Sequence, residues 1–387
     1  MTIEVVDTHE GLAAHADAWN NLALEAPQRL PELSHAWVSS YLECCLTREE
    51  SWFCVFVWNG ATLVGVLPVV TTQRRFAMVN WSLLRAPQDD HTSFGDCLVA
   101  EGYGLDVVMS LVGTALSRCR SPFSLRFPHL ASSSPTLALA THSRGGLCCA
   151  LESRGLGSFL NTTGRFEDYR DTLSKNFKGN LRKARNHLKT LPGVSFEVIR
   201  NDAAVGSSLD RFMRVEESGW KGQAGTAIRS SSTLVSFYEL LTQRLSRAGW
   251  LHWSFLHGGG RTLAASLSVA FSGSLVMCKV GYDEEYSQCA PGSMLLERVL
   301  EEAFSDPATD EVNLLSNTPW HDNWRCEKRP YYALFVFPTG VVPFVFGYAP
   351  KLLVNTMKKR PFAVKCFRAF RRGLLRMRSG KRAASRE

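Results

Sequence analysis

The chain has 387 residues, of which 45% are apolar and 21% are charged, a composition typical of a globular protein long enough for two cores. The formal net charge is +8. However, residues 351–387 carry 13 Lys or Arg and one acidic residue, whereas the other 350 residues carry 31 basic and 35 acidic residues. Because the body is mildly acidic, its charge argues against a nucleic-acid-binding surface, and we expect no nucleic-acid partner.

The ends and the apolar runs of the sequence predict a cytoplasmic protein. The first ten residues, MTIEVVDTHE, are acidic and lack the apolar core of a signal peptide. No run of about 18 apolar residues is present, so no membrane span is predicted. The eleven cysteines show no Cys-x-x-Cys pair or zinc-type spacing, which predicts reduced thiols and no metal site.

The first half alternates helical and strand patterns. An Asn59-Gly60 turn between two β-rich runs predicts a hairpin. The predicted elements are helices over 9–26, 34–45 and 105–119 and strands over 52–58, 62–71, 94–99 and 123–127. The Ser-, Pro- and Gly-rich stretch 132–157 is interpreted as a connection between two halves.

The second half opens with one long basic helix, predicted over 166–191. Further predicted elements are a strand over 194–199, helices over 208–219 and 237–248, a three-strand meander over 250–280, and strands over 312–315 and 331–337. The two halves share an element order, which predicts a duplicated α+β unit.

The segment 275–304, LVMCKVGYDEEYSQCAPGSMLLERVLEEAF, carries the strongest site signal. A strand meets an acidic-aromatic cluster, and a helix then starts at Pro291, a residue suited to the first helical position. The amides of Ser293, Met294 and Leu295 are predicted to be free at this helix end, where they would hold a phosphate beside a proton acceptor.

The first half lacks an equivalent of this turn. Its corresponding region holds Asp89 and Asp90, which would repel a pyrophosphate. One cofactor site, in the second half, is therefore expected.

Four segments between Phe166 and Trp324 resemble a known family. They are FEDYRDTLSKNFKGNLRKARNHL, ESGWKGQAGTAI, KVGYDEEYSQCAPGSMLLE and NTPWHDNW. Their residues and spacing are similar to the GNAT-superfamily proteins of the CelD/BcsL type.

The resemblance implies an α+β fold of two tandem GNAT-like domains, each a mixed, largely antiparallel sheet flanked by helices, as in FemAB-like enzymes. The expected division is an N-terminal domain without cofactor (1–145), a C-terminal domain with an acyl-CoA site (146–345) and a basic amphipathic tail (346–387). The implied activity is transfer of an acetyl or other acyl group from acyl-CoA to an amine or hydroxyl of a small-molecule or glycan acceptor, such as a polysaccharide precursor. In the GNAT loop pattern that starts at Gln288, Pro291 and Ser293 take the two glycine places.

The catalytic candidates follow from the needs of acyl transfer. A base must take a proton from the acceptor, and hydrogen-bond donors must stabilise the oxyanion. Asp283 and Glu284 are the leading base candidates; the alternative is a solvated acidic turn that caps strand and helix. His321, next to Asp322, is the rival base, with a surface residue as its alternative.

The remaining candidates bind the donor, the leaving group or the acceptor. Tyr282 or Tyr286 would protonate the leaving thiolate. The predicted cofactor-binding residues are Val280, Gln288, Gly292, Ser293, Met294 and Leu295. The predicted substrate-binding residues are Trp220, Lys221, Lys279, Arg182 and Trp320. For Lys221 the alternative is simple exposure, and for Trp220 it is packing; Lys279 either reaches the cleft or extends to solvent.

Two basic helical patterns predict contacts with anions. In the helix over 173–188 one face is formed by Lys175, Lys178, Arg182, Arg185 and Lys189. Its partner would be the 3′-phosphate of CoA, a phosphorylated acceptor or a membrane surface, and a solvated face is the alternative. The tail alternates apolar and basic residues over 362–378, which predicts peripheral association with an anionic membrane against a disordered tail.

Two other functions stay open at this stage. An aminoacyl transferase of the FemAB type would need a basic body for tRNA, which the body charge disfavours. A non-catalytic GNAT-like module in polysaccharide assembly would fit the altered glycine pattern.

Overall fold

The structure is a computed structural model that describes residues 1–76, 78–141, 146–201 and 205–358. Its first repeat contains β1 (Thr2–Val6), α1 (His9–Ala14), α2 (Ala16–Glu25), α3 (His35–Cys44), β2 (Glu50–Asn59), β3 (Thr62–Phe76), β4 (Val79–Arg85), β5 (Leu98–Val99), α4 (Gly104–Ser117), β6 (Pro122–Ala131) and β7 (Leu147–Asn161). Helices α5 (Phe166–Thr172) and α6 (Lys175–Lys189) then lead to the second repeat.

The second repeat has the same element order. It contains β8 (Ser195–Arg200), α7 (Val205–Ser218), α8 (Trp220–Gln223), α9 (Ser232–Arg247), β9 (Leu251–Gly258), β10 (Arg261–Phe271), β11 (Ser274–Tyr282), α10 (Pro291–Ser305), β12 (Glu311–Asn313) and β13 (Glu327–Pro338). Short helices α11 (Val341–Pro343) and α12 (Ala349–Lys358) follow. No helix among these described residues is long and apolar enough to cross a membrane.

One sheet runs through both repeats, in the order β1-β2-β3-β4-β6-β13-β7-β12-β11-β10-β9-β8. The pairs β4–β6 and β11–β12 are parallel, and the other pairs on this path are antiparallel. The order is symmetric about the centre, with the last strand of each repeat exchanged: β13 pairs with β6, and β7 pairs with β12. The expected tandem α+β fold is therefore confirmed.

The exchange bears on the predicted division at residue 145. Strand β7 begins at Leu147 and joins the sheet of the second repeat, whereas β13, from the end of the second repeat, completes the sheet of the first. The boundaries 1–145 and 146–345 stay a prediction, and most of the tail (359–387) lies outside the described residues.

On one face of the sheet both repeats share a single core. Side chains of α2 and α3 form one buried cluster with side chains of α7 and α9. At the junction of α3 and α9, the rings of Trp37 and Phe237 meet edge to face at 6.3 Å. On the opposite face α4 and α10 cover separate clusters. The sheet and this shared core thus fix the positions of the two repeats.

Two sequence predictions about secondary structure were wrong. The stretch 132–157 is not only a connection, because β7 occupies its last eleven residues and pairs with β13. Glycine is needed within this strand, because Gly155 has φ +100° next to a register shift between β7 and β13. The helix predicted over 166–191 is interrupted because Leu173 is extended and Ser174 caps α6 by accepting the Phe177 amide at 3.2 Å.

Replacing Gly157 with Ala should destabilise the central strand pair. A Cβ at this position would lie 1.8 Å from Tyr331 Oη and 2.2 Å from Cζ, and Tyr331 is buried. We expect a loss of about 1–3 kcal/mol in the free energy of unfolding, measured by denaturant titration. Gly113→Ala is the control, because a Cβ there meets nothing within 4 Å. Equal midpoints for both variants would contradict the close approach of β7 and β13.

Candidate active site

Strand β11 has one unpaired edge that opens toward β12. Along its other edge β11 pairs with β10, but it pairs with β12 only over Ser274–Val276. After Asn313 the chain leaves β11 and follows β7, where the Leu314 amide donates to Ser158 O at 2.9 Å. A wedge therefore opens between β11 and the chain beyond β12, with backbone groups of β11 on its wall.

The ladder shows which residues of β11 face this wedge. The Asp283 amide donates to Leu263 O at 2.8 Å, toward β10. Because amides alternate in direction along an antiparallel strand, those of Val280 and Tyr282 face the wedge. The Lys221 ammonium group approaches Val280 O at 3.5 Å from this side. Val280 thus presents its backbone amide and carbonyl to the wedge, and its role in binding the cofactor stays a prediction.

The start of α10 lies beside the wedge and differs in detail from the expectation. Ala290 precedes the helix in the left-handed conformation (φ 42°, ψ 55°). The amides of Ser293 and Met294 both donate to Ala290 O, at 2.9 and 3.0 Å, so they are not free. The side chains of Met294 and Leu295 belong to the core. Pro291 has no amide hydrogen, which leaves the amide of the next residue, a glycine, as the available donor.

Tyr282 connects the strand edge with the helix start. It is the last residue of β11, and its Cδ1 lies 3.2 Å from where a Cβ on Gly292 would be. Glycine at 292 therefore permits the ring to lie over the helix start. Tyr282 and Gln288 are both exposed, while Tyr286 lies next to Gly259.

The acidic turn after β11 is stabilised by a hydrogen bond within the turn and by ion pairs with Arg261. Asp283 is buried, and its carboxylate accepts the Glu285 amide at 3.1 Å and lies 3.5 Å from the Arg261 guanidinium. Arg261 also pairs with Glu285 at 2.9 Å. These contacts favour the capping interpretation of the cluster, and the role of Asp283 or Glu284 as a base stays a prediction.

His321 forms a cap and does not pair with Asp322. Its Nδ1 lies 3.1 Å from Ser316 O and accepts the Thr318 amide at 3.4 Å in a capping box. Burial lowers the pKa of this imidazole. Asp322 points instead to Lys328, at 3.0 Å.

Trp320 lies next to this cap. Its side chain is exposed and meets the His321 ring edge to face at 4.2 Å. The role of Trp320 in binding the acceptor stays a prediction.

The predicted acceptor lysines lie together on the α7 side of β11. Lys221 Nζ is 2.7 Å from the carboxylate of Glu216, which is buried and also accepts the Ile228 amide at 3.0 Å. Lys221 is thus not simply exposed. Lys279 is half-buried, and burial together with the nearby charge of Lys221 lowers the pKa of its ammonium group. Helix α8 begins at Trp220, whose side chain is outside the described part.

The first repeat contributes residues that the sequence analysis missed. The loop after β4 brings His91 to α9, where its Nδ1 lies 3.1 Å from Tyr238 Oη. Asp89 orders this loop by accepting the amides of His91 and Thr92 at 2.8 and 2.7 Å. Burial lowers the pKa of His91 to about 4, and the charge of Lys279 acts in the same direction. The sequence Asp-Asp-His-Thr predicts an Asx turn. It does not predict that this turn lies near β11, because β11 is remote in sequence.

Glu32 is a second missed residue. It is buried among apolar residues, and its Oε2 has no hydrogen-bond partner within the described chain. Burial raises the pKa of this carboxyl to about 7. Its charge acts on Cys278 in β11 and on Tyr331 in β13. Cys278 lies at the register shift of β11, so the charge of Glu32 acts on the irregular part of the strand.

Some basic side chains of α6 pair with carboxylates of the protein, and others are exposed to solvent. Arg185 donates to both oxygens of buried Glu297 in α10, at 2.6 and 2.7 Å. Lys178 lies 3.6 Å from Asp171, and Arg182 is exposed. Helix α6 packs against the turn that leads into α10. Helix α6 thus lies near the start of α10, and its exposed cationic groups include Arg182.

Comparison with known proteins assigns this segment. Residues 175–320 match the family model described as acetyltransferase (GNAT) domain. The match includes β11, the turn after it, α10 and β12. This segment is therefore similar to a GNAT acetyltransferase domain, and the similarity supports an acyl-CoA-dependent acyltransferase. No curated protein matches the sequence.

Several solved structures share the fold across both repeats. FemX is 9% identical, with a TM-score of 0.57 over 86% of this chain and 97% of that one. A protein of unknown function from Bacteroides thetaiotaomicron is 11% identical, with a TM-score of 0.54 over 87% and 100%. The C-terminal domain of a putative lysylphosphatidylglycerol synthetase from Agrobacterium fabrum is 12% identical, with a TM-score of 0.52 over 88% and 97%. At these identities the likeness shows the fold alone.

Replacing Glu32 with Gln should change how stability depends on pH. The folded carboxyl binds its proton more tightly than an exposed one, because its pKa is raised from 4.5 to about 7. The wild-type protein therefore loses stability as the pH rises from 4.5 to 7, and the Gln variant lacks this loss. We expect the variant to gain about 3 kcal/mol over the wild type across this range in urea titrations. Glu101→Gln on the surface is the control, and a parallel pH dependence of wild type and Glu32→Gln would contradict the shift.

Proposed function

We propose that this protein transfers an acetyl or other acyl group from acyl-CoA to an amine or hydroxyl of a sugar or polysaccharide precursor, in the manner of the CelD/BcsL type. The observation that carries the proposal is the unpaired edge of β11 beside the start of α10, within the segment that matches the GNAT domain. The nature of the acceptor follows from the family resemblance.

The residues at this edge fit an acyl-CoA. When bound, acyl-CoA supplies the acyl group as an activated thioester. The Gly292 amide and the positive end of α10 hold phosphate oxygens. The Val280 amide donates to the acyl carbonyl oxygen and stabilises negative charge there. The exposed Arg182 and the partly exposed Lys178 on α6 attract the 3′-phosphate.

The acceptor enters between the repeats. Lys279 and Lys221 come from the second repeat, and Asp89 and His91 come from the first. Lys221 is already paired with Glu216, so Lys279 is the group that favours an acceptor with negative charge, such as a sugar phosphate. Glu32 is our candidate for the group that takes the acceptor proton. Its buried carboxyl is near β11, and its pKa of about 7 suits a general base at neutral pH.

Replacing Ser293 with Asp should abolish acetyl-CoA binding without unfolding the protein. A carboxylate in the first turn of α10 repels a bound phosphate. It interacts favourably with the positive end of the helix, so the fold is not destabilised. We expect the affinity for acetyl-CoA to fall at least about 100-fold in isothermal titration calorimetry, about 2.7 kcal/mol.

Ser293→Asn is the matched control, because it has nearly the same shape as the Asp variant without the charge. This variant should bind acetyl-CoA within about threefold of wild type. Equal affinities of the Asp and Asn variants would refute binding at this helix end, and no binding by the wild type would refute the acyl-CoA donor.

Replacing Glu32 with Gln should remove the base. Transfer is followed by release of the CoA thiol with a panel of amine and sugar acceptors. The wild-type rate should rise with pH through about 7, as the carboxyl loses its proton. The Gln variant should lose at least about 100-fold in kcat with KM for acetyl-CoA unchanged.

Asp283→Asn and Glu284→Gln are the comparison variants. If Glu32→Gln kept full activity and Asp283→Asn or Glu284→Gln lost activity, the base would be a residue of the acidic turn and not Glu32. Transfer from aminoacyl-tRNA but not from acetyl-CoA would support the FemAB-type alternative.

A further inference from the structure

A cavity lies at the C-terminal end of α10, whereas the proposed acyl-CoA site lies at its N-terminal end. Its volume is about 410 Å³, and its walls come from the last turn of α10, the ends of β8 and β9 and the β10–β11 turn. The residues that matter here are Arg200, Trp250, His252, Phe271, Glu302 and Asp306. A cavity of this size suits a small organic molecule.

One buried side chain and one buried carboxyl oxygen in this cavity have no hydrogen-bond partner within the described chain. His252 is 5% exposed, and neither of its ring nitrogens makes a hydrogen bond. Glu302 Oε2 is buried and also unpaired. Ser268, directly opposite His252 in the β9–β10 register, is buried with an unpaired hydroxyl. Because unpaired buried polar groups cost free energy, such a cluster indicates a ligand or ordered water.

The cavity wall carries two carboxyl groups, Glu302 and Asp306, and one guanidinium group, Arg200. Arg200 lies 3.6 Å from Asp306. Burial lowers the pKa of His252 to about 4, so this imidazole is neutral. The charges of Arg200 and Arg298 act on Glu302, but its Oε2 accepts no hydrogen bond from the described residues around it. The cavity therefore favours a ligand with a single positive charge, which would stabilise the ionised form of this carboxyl.

The other walls are apolar and aromatic. Trp250 and Phe271 meet edge to face at 4.9 Å. Leu251 and Leu275 complete this side. These surfaces bind an apolar body, and the aromatic face adds attraction for a cation next to it.

We propose that this cavity is a binding site for a small organic amine with one positive charge and an apolar or aromatic body. Its ammonium group pairs with Glu302, its body packs against Trp250 and Phe271, and His252 exchanges a hydrogen bond with it. The site is separate from the acyl-CoA site, since Pro291 at the start of α10 and Glu302 near its end are separated by about 16 Å of helix.

Calorimetry of the full-length protein with benzylamine and benzyl alcohol tests the proposal. The two probes have nearly the same shape but differ in charge. We expect saturable benzylamine binding with a Kd of about 1 mM or below, and at least about tenfold weaker binding of benzyl alcohol. Glu302→Gln should weaken benzylamine binding at least about tenfold.

Glu301→Gln is the matched control, because it removes the same charge one residue away, outside the cavity wall. This variant should keep the wild-type affinity for benzylamine. Acetyl-CoA binding by Glu302→Gln should equal that of wild type, which shows that the variant is folded and that the two sites are distinct. His252→Phe should also weaken benzylamine binding.

Three results would overturn the amine site. They are no saturable benzylamine binding at about 20 mM, equal affinities for the two probes, or a Glu302→Gln variant that binds as tightly as Glu301→Gln. The last result would place the amine elsewhere, such as at the acceptor side of β11. None of them bears on the acyl-CoA site, because that site is measured separately with acetyl-CoA.

Discussion

The exchange of β7 and β13 is the constraint on which the rest of the structure depends. Each strand completes the sheet of the other repeat, and the two pair with each other along the centre. Their close approach requires Gly157, whose backbone lies against the Tyr331 ring. Because β12 must pair with β7, the chain after Asn313 is drawn away from β11. The wedge that exposes Val280 is thus a direct result of the exchange.

The same arrangement explains why the site draws on both repeats. The shared core holds α3 against α9, and the loop that carries His91 reaches the side of β11 where Lys279 lies. Glu32 enters from the segment before α3 and acts on Cys278. The second repeat supplies the helix start and the strand edge, and the first supplies polar groups on the side where we propose that the acceptor binds. In the first repeat the strand equivalent to β11 is β4. It pairs in parallel with β6 over Ser82–Arg85, so more of its edge is covered than in β11.

Much of the fold was predictable because local signals are strong. Asn59-Gly60 marks a hairpin, and Pro291 marks the start of α10; both act within a few residues. Strand β7 was missed because its glycines, which usually indicate loops, serve a register shift and a close contact. The roles of Asp283 and His321 depend on the partners they find in the folded chain, and composition does not give such partners. Glu32 and His91 were beyond prediction, because their neighbours in β11 and α9 are remote in sequence.

The central position of β13 also has a consequence for how the chain is made. Synthesis proceeds from the N-terminus, and β6 is complete long before its neighbour β13 has been translated. During that interval the first repeat has a sheet edge without its final strand, and such edges promote wrong pairing between chains. The first repeat can reach its final form only when the end of the second has left the ribosome. The two repeats, although similar in order, therefore complete their folding together rather than one after the other.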